Sequence, residues 1–337
     1  MKRPCLAVAV LSLSFFAAAK TQAQLPAGDL RLWLRADSLQ LAEDAPVTQW
    51  VDSSSYGTVF APRTMRWDGL TPVEEQPRLE TVTLNGRTFP TVKFERDGSL
   101  PSGDPLVDRS GNTDRLFQTT NLTPGSDPLV IADGTPMTSF TVFKPNVTTS
   151  GALGVQAVWA KRGNDASLME LGIQPTGRLI HVSYDAFVGY QTQATIPAGK
   201  WNVVEYALVE QEPNDAVTFR SNSTENPFAP LVNMPVPTNG GLIADRNDGI
   251  NEEPAGSMEP FGIGGHAQNC CGEGETFSGN IAEIIIYARA LTVEEKNQVY
   301  AYLTDKYLAI PEPATATLTL AGLVGLLATR RHSRANA

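Results

Sequence analysis

The sequence predicts an all-β fold, an antiparallel sandwich with a single C-terminal helix packed at its edge. Short runs rich in β-branched and aromatic residues recur between turn clusters, and several of them alternate apolar and polar side chains. Strands with one buried face and one wet face show this alternation. No helical period separates the runs, which argues against a parallel α/β sheet. The 28 Gly and 24 Pro residues fit many turns and few helices.

Eight runs are predicted to form strands. In chain order they are Arg31–Leu34, Thr91–Phe94, Ser139–Phe143, Leu179–Tyr184, Trp201–Val209, Ala216–Phe219, Phe261–Gly264 and Asn280–Tyr287. No internal repeat of fixed period and no linker occurs before Ile310, so residues 24–310 are predicted to form one domain.

One helix is predicted from about Thr292 to Tyr307. Thr292 and Glu295 have the spacing of a capping box, in which each side chain satisfies a backbone N–H at the helix start. Val299, Leu303 and Tyr307 recur on one helical face, so this face is expected to be buried.

Residues 1–23 have the three parts of a secretory signal peptide. Lys2 and Arg3 precede an apolar run, and small residues follow it before Gln24. An N-terminal membrane anchor is the alternative, but the apolar run is shorter than the roughly 20 residues that a spanning helix needs. Export is therefore predicted.

The C-terminal segment 311–337 combines two prolines, an uncharged apolar stretch and a cluster of arginines. Its key residues are Pro311, Glu312, Pro313, Arg330 and Arg331. Their order and spacing resemble the PEP-CTERM sorting signal of Gram-negative bacteria, which an exosortase recognises and removes. The resemblance implies that the chain contacts the membrane only through this short segment before cleavage, and that the protein reaches the envelope surface or extracellular matrix. A plain tail anchor is the alternative.

The charge balance is acidic throughout the predicted domain. The formal net charge is −10, and removing both terminal segments takes away six basic and no acidic residues, which leaves −16. No basic stretch interrupts this excess of negative charge. The composition therefore argues against a nucleic-acid partner or an anionic lipid surface.

The order of the predicted elements resembles secreted laminin-G-like, concanavalin A-like domains. The resemblance is carried by Leu32–Asp37, Trp50–Ser53, Phe89–Phe94, Ala198–Asn202 and Gly279–Tyr287, followed by Arg289–Leu291 and Glu294–Glu295. It spans about residues 32–308 and implies a jelly-roll sandwich of two antiparallel sheets. Members of this family include glycan binders, adhesion modules and some enzymes.

Catalysis is not predicted. Retaining glucanases of this fold use a Glu-x-Asp-x-x-Glu strand motif, which places two carboxylates about 5 Å apart. The nearest match begins at Glu95 and Asp97, but Leu100 occupies the position of the second glutamate and Gly98 interrupts the strand. A polar strand end followed by a turn is the expected structure there.

The three histidines offer little further chemistry. His332 lies in the C-terminal tail, so a three-histidine zinc site cannot be built from the predicted domain. His181 falls inside a strand run and is expected to be structural. His266 lies on a glycine-rich loop and is the better candidate for a base, although an exposed loop residue is the favoured interpretation.

Two adjacent cysteines remain after loss of the signal peptide. Cys270 and Cys271 are predicted to form a vicinal disulfide in an oxidising compartment. Two free thiols or a cysteine-bound metal are the alternatives. A ring this small encloses almost no chain, so its entropic contribution to stability is expected to be small.

Calcium and sugar sites are expected on loops. Asp245, Asn247 and Asp248 supply oxygen ligands at short spacing, which suits calcium, and laminin-G-like relatives often bind it. Residues 108–114 form a second acidic loop, and solvated turns are the alternative for both. Trp67 lies in a polar region and is the candidate sugar platform, whereas tryptophans within strand runs are expected in the core.

These observations predict an exported, surface-sorted and non-catalytic protein that binds polysaccharide or extracellular matrix. Two alternatives remain. One is a carbohydrate-active enzyme, a glycoside hydrolase or lyase on the same fold, with carboxylates from separate strands. The other is a structural component of a biofilm or envelope. Calcium is the one cofactor candidate.

Overall fold

The computed structural model describes fourteen stretches of the chain. They are residues 25–62, 76–95, 114–123, 126–131, 135–146, 156–162, 168–174, 176–183, 188–209, 214–222, 232–234, 242–244, 260–265 and 276–308.

The described residues form two antiparallel sheets, which confirms the predicted all-β sandwich. The strands are β1 (Leu30–Arg35), β2 (Trp50–Val51), β3 (Val59–Ala61), β4 (Arg78–Leu84), β5 (Arg87–Phe94), β6 (Leu116–Gln118), β7 (Met137–Pro145), β8 (Gln156–Arg162), β9 (Leu168–Ile173), β10 (Arg178–Ser183), β11 (Val188–Thr195), β12 (Asn202–Val209), β13 (Asn214–Ser221), β14 (Val232–Met234), β15 (Leu242–Ala244), β16 (Gly262–Ile263) and β17 (Gly279–Tyr287). Each of the eight predicted runs corresponds to one of these strands.

Within the described stretches, one sheet has nine strands and the other has eight. The nine-stranded sheet has the order β14-β13-β12-β7-β17-β5-β4, with β1 also paired to β17 and β15 to β13. The eight-stranded sheet has the order β11-β10-β9-β8-β16-β6-β3-β2. Strand β1 therefore lies beside β17, so the first and last strands of the described chain are neighbours.

The hairpin of β4 and β5 shows a turn that the sequence analysis did not use. Asn85 and Gly86 link the strands with φ angles of 54° and 79°. A two-residue turn with positive φ at both positions matches the right-handed twist of the flanking strands, and Asn-Gly favours it. The Asn-Gly pair thus marks a hairpin whose first strand the hydrophobic pattern alone did not reveal.

An apolar core fills the space between the two sheets. Trp50 and Trp159 are fully buried there, and the Trp159 ring stacks on Phe261 with ring centroids 5.6 Å apart. Of the two tryptophans in predicted strand runs, Trp201 is buried as expected, in a second apolar cluster. Trp33 differs, because it lies half-buried on the outer face of the nine-stranded sheet.

The predicted helix is present as α1 (Val293–Leu303), and a π-helical turn (Thr304–Leu308) follows it. The capping box is confirmed: the Glu295 N–H donates to Thr292 Oγ1 over 3.2 Å, and the Thr292 N–H donates to Glu295 Oε2 over 2.9 Å. Val299, Leu303 and Tyr307 are all buried, as the helical period predicts.

The helix covers the outer face of the nine-stranded sheet, whereas the sequence analysis expected it at the sandwich edge. Its buried side chains join a second apolar cluster with Phe140, Val142 and Ile285 of β7 and β17. These central strands carry buried residues on both faces. The helix packs over these strands because their outer apolar side chains would otherwise be exposed to water.

Candidate functional site

A cleft of about 670 Å³ opens on the outer face of the nine-stranded sheet, beside α1. Its floor is the outer side of β1, with Trp33 and Arg35. The segment 25–29 and residues 53–56 also line the cleft, together with Tyr302 of α1. The cleft therefore combines residues from the beginning and the end of the described chain.

The alternation along β1 places these side chains. Leu32 and Leu34 point inward and are fully buried in the core. Trp33 and Arg35 consequently point outward, because successive side chains of a strand lie on opposite faces. The Trp50 Nε1–H donates to the Arg35 carbonyl over 3.0 Å and holds the end of the strand in place.

The Glu283 carboxylate of β17 lies directly behind the cleft and is fully buried. Its Oε1 accepts from Trp33 Nε1 at 2.5 Å and from the Tyr302 hydroxyl at 2.9 Å. Its Oε2 accepts from Lys306 Nζ at 2.8 Å and from the Tyr307 hydroxyl at 2.6 Å. Four donors on one carboxylate compensate its burial and fasten the indole and the end of the helix to the sheet.

Both tyrosine hydroxyls in this network remain protonated donors. Burial raises the pKa of Tyr302 well above its ordinary value, and the nearby Glu283 charge raises it further. The same two causes raise the pKa of Tyr307. Ionising either phenol would place a second negative charge beside a buried carboxylate, so both groups act as fixed hydrogen-bond donors.

The Arg35 guanidinium stacks on the Trp33 ring, with Cζ 4.5 Å from the ring centroid. Its ion pair with Asp37 is long, since Nε lies 3.9 Å from Oδ1. The other oxygen of Asp37, Oδ2, lies 3.0 Å from Lys306 Nζ. Arg35 therefore lies over the indole, and its contact with Asp37 is longer than a hydrogen bond.

Asp52 shapes the opposite wall. Its buried carboxylate accepts from the backbone N–H groups of Trp33 and Ser54, both at 2.8 Å, and from the Ser54 hydroxyl. These bonds tie the serine-rich turn to β1. The turn presents Tyr56, which is 40% exposed and accepts from Arg31 Nη1 at 3.1 Å.

The cleft suits a ligand rich in hydroxyl groups. It offers aromatic surface from Trp33 and Tyr56, hydroxyls from the serine turn and one guanidinium. Saccharides are bound by this combination of aromatic faces and a few directional polar groups. Asp52 and Glu283, the carboxylates behind the cleft, are already engaged by the donors described above.

The structure places His181 of β10 in the core, which agrees with the structural role expected from the sequence. Its Nδ1 and the Tyr206 hydroxyl are 2.6 Å apart, and the ring also hydrogen-bonds the backbone of Glu170. Burial lowers the pKa of His181 to about 4, although the Glu170 bond opposes this shift. The ring is therefore neutral at neutral pH.

Glu95 lies exposed directly after β5 and pairs with Lys93. Its backbone N–H donates to Asp114 Oδ2 at 2.8 Å, which joins the strand end to the acidic segment that ends there. This arrangement agrees with the expected polar strand end.

Most other candidate residues of the sequence analysis lie outside the described residues. They are Trp67, Asp97, Asp245, Asn247, Asp248, His266, Cys270, Cys271, Pro311, Glu312, Pro313, Arg330 and Arg331. Their roles stay predictions. Within the described stretches, no group of three His, Cys, Asp or Glu side chains could hold a metal ion. Among the same residues, no helix has the length and apolar character needed to cross a membrane.

The residue pattern alone did not indicate Trp33, Arg35 and Glu283 as site residues. Trp33 was assigned to the core because it lies in a strand run. The usable signal was its position between Arg31 and Arg35, since alternation places these polar residues and the indole on the side opposite Leu32 and Leu34.

No family model matches the chain, and no curated protein matches it. Among solved structures, it is similar to the CBM40 domain of the Ruminococcus gnavus IT-sialidase bound to α2,3-sialyllactose, with 14% identity and a TM-score of 0.37 over 52% of this chain and 87% of that chain. It is also similar to a botulinum neurotoxin type C structure described by its interaction with two ganglioside molecules, with 11% identity and a TM-score of 0.45 over 82% of this chain.

A third similarity is to the Trypanosoma rangeli sialidase in complex with the inhibitor DANA, with 12% identity and a TM-score of 0.40 over 82% of this chain. The match spans 51% of the neurotoxin chain and 33% of the sialidase chain. At these identities and TM-scores, the similarities carry no argument about what this chain binds.

Proposed function

We propose that this protein is a non-catalytic glycan-binding protein and that the cleft beside β1 is its binding site. The observation that carries the proposal is the Trp33 indole, held half-buried at the cleft floor by the buried Glu283 carboxylate. A fixed aromatic group next to hydroxyl-bearing residues supports saccharide binding, because its apolar surface packs against sugar C–H groups while the hydroxyls form directional bonds.

The rigidity of the site supports binding as well. Trp33 is held at its backbone by Asp52 and at its side chain by Glu283. A site that is ordered before the ligand arrives loses less conformational entropy on binding. The network therefore favours measurable affinity for a flexible polymer.

The cellular setting belongs to the same proposal and rests on the sequence. Residues 1–23 direct export, an exosortase cuts the C-terminal tail near Pro311-Glu312-Pro313, and the protein then acts at the envelope surface or in the extracellular matrix. Mass spectrometry of protein from its native envelope should find no peptide spanning residues 322–330. Recovery of that peptide from mature protein would refute the sorting step.

Glycan-array screening of the purified protein, together with an assay for released reducing sugar, tests the binding function. Binding without release supports the proposal, and release that depends on one carboxylate supports a carbohydrate-active enzyme instead. Absence of both favours a structural envelope component. Repeating the array with calcium and with a chelator tests whether the acidic loops contribute a cation to binding.

Variants locate the binding site. Tyr56→Ala removes an exposed aromatic ring and should weaken binding roughly 3- to 10-fold. Val293→Ala is the matched control, because Val293 is 66% exposed and does not line the cleft. Equal affinity of the Tyr56 variant and the unaltered protein would place the glycan elsewhere, and Trp67→Ala is then the next variant to measure.

A further inference from the structure

We propose that the cleft selects acidic saccharides and that Arg35 binds the sugar carboxylate. The inference rests on the proposed glycan binding at this cleft and names its ligand class. Among the residues that line the cleft, Arg35 is the one cation, and it lies beside the aromatic floor.

The guanidinium of Arg35 is pre-organised. It lies over the Trp33 ring at 4.5 Å, and the indole is fixed in turn by its bond to the buried Glu283. A guanidinium held in one plane presents parallel N–H groups that match the two oxygens of a carboxylate. Little side-chain freedom is lost when a ligand binds a group already held in this way.

The Arg35 side chain is 31% exposed, so a ligand can reach the exposed part of its guanidinium but not the enclosed Nε. Its Nε is buried and has no hydrogen-bond partner among the described residues. The contact with Asp37 Oδ1, at 3.9 Å, is longer than a hydrogen bond, and Lys306 neutralises the same carboxylate at 3.0 Å. A sugar carboxylate would therefore form closer bonds with Arg35 than Asp37 does.

The remaining acid that lines the cleft is too distant to neutralise Arg35. Asp29 precedes β1, and the strand from Leu30 to Arg35 alone spans roughly 16 Å. Exposed charges at this separation are largely screened at physiological ionic strength. Asp29 instead pairs with Arg31, whose Nη2 lies 4.0 Å from Asp29 Oδ1, so Asp29 leaves the Arg35 charge open to a ligand.

The net charge of −10 opposes long-range attraction of an acidic polymer, so any preference for acidic sugars must come from local contacts. A preference for acidic sugars would therefore not be explained by general electrostatic attraction between protein and polymer. This also sets the control: another arginine, away from the cleft, should leave the preference unchanged. Arg78 fits this purpose because it lies on β4 and pairs with Asp44.

Calorimetric titration of the full-length protein with matched sugars tests the proposal. The probes are oligomers of galacturonic, guluronic and glucuronic acid, each compared with its own methyl ester. At least one free acid should bind roughly 10- to 100-fold tighter than its ester, as expected for charge-assisted hydrogen bonds. Arg35→Gln should abolish this preference, Arg35→Lys should retain part of it, and Arg78→Gln should leave it intact.

Each other outcome is informative. Equal binding of acid and ester, or a preference that survives Arg35→Gln, overturns the carboxylate assignment while glycan binding stands. Binding of sulfated but not carboxylated oligomers also overturns it. A complete lack of glycan binding refutes the proposed function itself. If Arg35→Gln lowers the melting temperature, the comparison is made with Arg35→Lys instead. A folded Lys variant with unchanged preference for the free acid would show that the two parallel N–H groups of the guanidinium are not needed.

Discussion

Replacement of Glu283 by Gln is expected to destabilise the fold by about 3–5 kcal/mol. The carboxylate accepts four hydrogen bonds, two at each oxygen. An amide keeps one accepting oxygen, and its NH₂ group then faces two donors that it cannot accept from. Breaking a buried ion pair at one partner costs about 3–5 kcal/mol, because the remaining charge stays uncompensated.

The neighbouring groups set the size of this effect. Lys306 is 16% exposed and keeps its contact with Asp37, so part of its charge remains compensated after the substitution. Tyr307 is nearly fully buried, so its hydroxyl could not turn to water as a replacement acceptor. Tyr307→Phe removes one donor together with its hydroxyl and should therefore cost less, about 1–2 kcal/mol.

Urea unfolding followed by tryptophan fluorescence measures these free energies. Glu294→Gln is the matched control, since Glu294 is exposed on the same helix and its replacement should change stability by less than about 1 kcal/mol. The double variant with Tyr307→Phe should cost less than the sum of the two single changes, because both alter one network. A loss below about 1 kcal/mol for Glu283→Gln, with an unchanged denaturant slope, would refute the proposed anchoring role.

Three further predictions test other parts of the fold. The fold holds His181 neutral with a pKa of about 4, whereas in the unfolded chain the imidazole binds a proton near pH 6.5. The free energy of unfolding should therefore fall by up to about 3 kcal/mol as the pH is lowered from 6.5 to 4. His181→Gln should remove this part of the pH dependence. Thr292→Ala removes the helix N-cap and should cost about 1 kcal/mol in urea unfolding. Gly264→Ala should lower the free energy of unfolding by about 3 kcal/mol or more, because φ is +77° and a Cβ would lie within 3 Å of the Phe94 ring. Gly199→Ala is the comparison: its φ is +70° but the space around it is open, so the loss should be only about 1–2 kcal/mol.

Clear results would contradict each of these three. Identical pH profiles for the unaltered protein and the His181 variant would show that the ring does not couple folding to protons. A Thr292 variant as stable as the unaltered protein would mean that other contacts define the helix start. Equal losses at Gly264 and Gly199 would show that strain at positive φ, and not the contact with Phe94, controls stability at Gly264.

The helix shows how much local sequence can predict. Thr292, Glu295 and the three apolar positions of one face define its start and its buried side, because capping and helical period depend on residues three to four positions apart. The π-helical turn at 304–308 is not predicted by this pattern. It places Lys306 and Tyr307 so that both reach Glu283, a contact with a residue more than twenty positions away.

The cleft shows where prediction from sequence ends. Glu283 lies in an apolar strand, and its burial depends on donors from three other elements, namely β1, α1 and the π-helical turn. The Trp33 indole reaches it across 250 positions of the chain. A shift of register between Ile281 and Glu283 helps to turn this carboxylate to the outer face. Alternation and composition contain no information about such distant contacts.

The all-β class, the eight main strands and the capped helix can be predicted from the chain, because they follow from hydrophobic periods and short-range hydrogen bonds. Tertiary packing alone determines which part of the outer sheet face is covered by the helix and which part stays open as the cleft. Both faces of the central strands carry buried apolar residues, so the helix covers one face and the second sheet covers the other. Trp33, Arg35 and Glu283 meet at the border of that helical cover, so their common site exists only after the two ends of the chain have packed together.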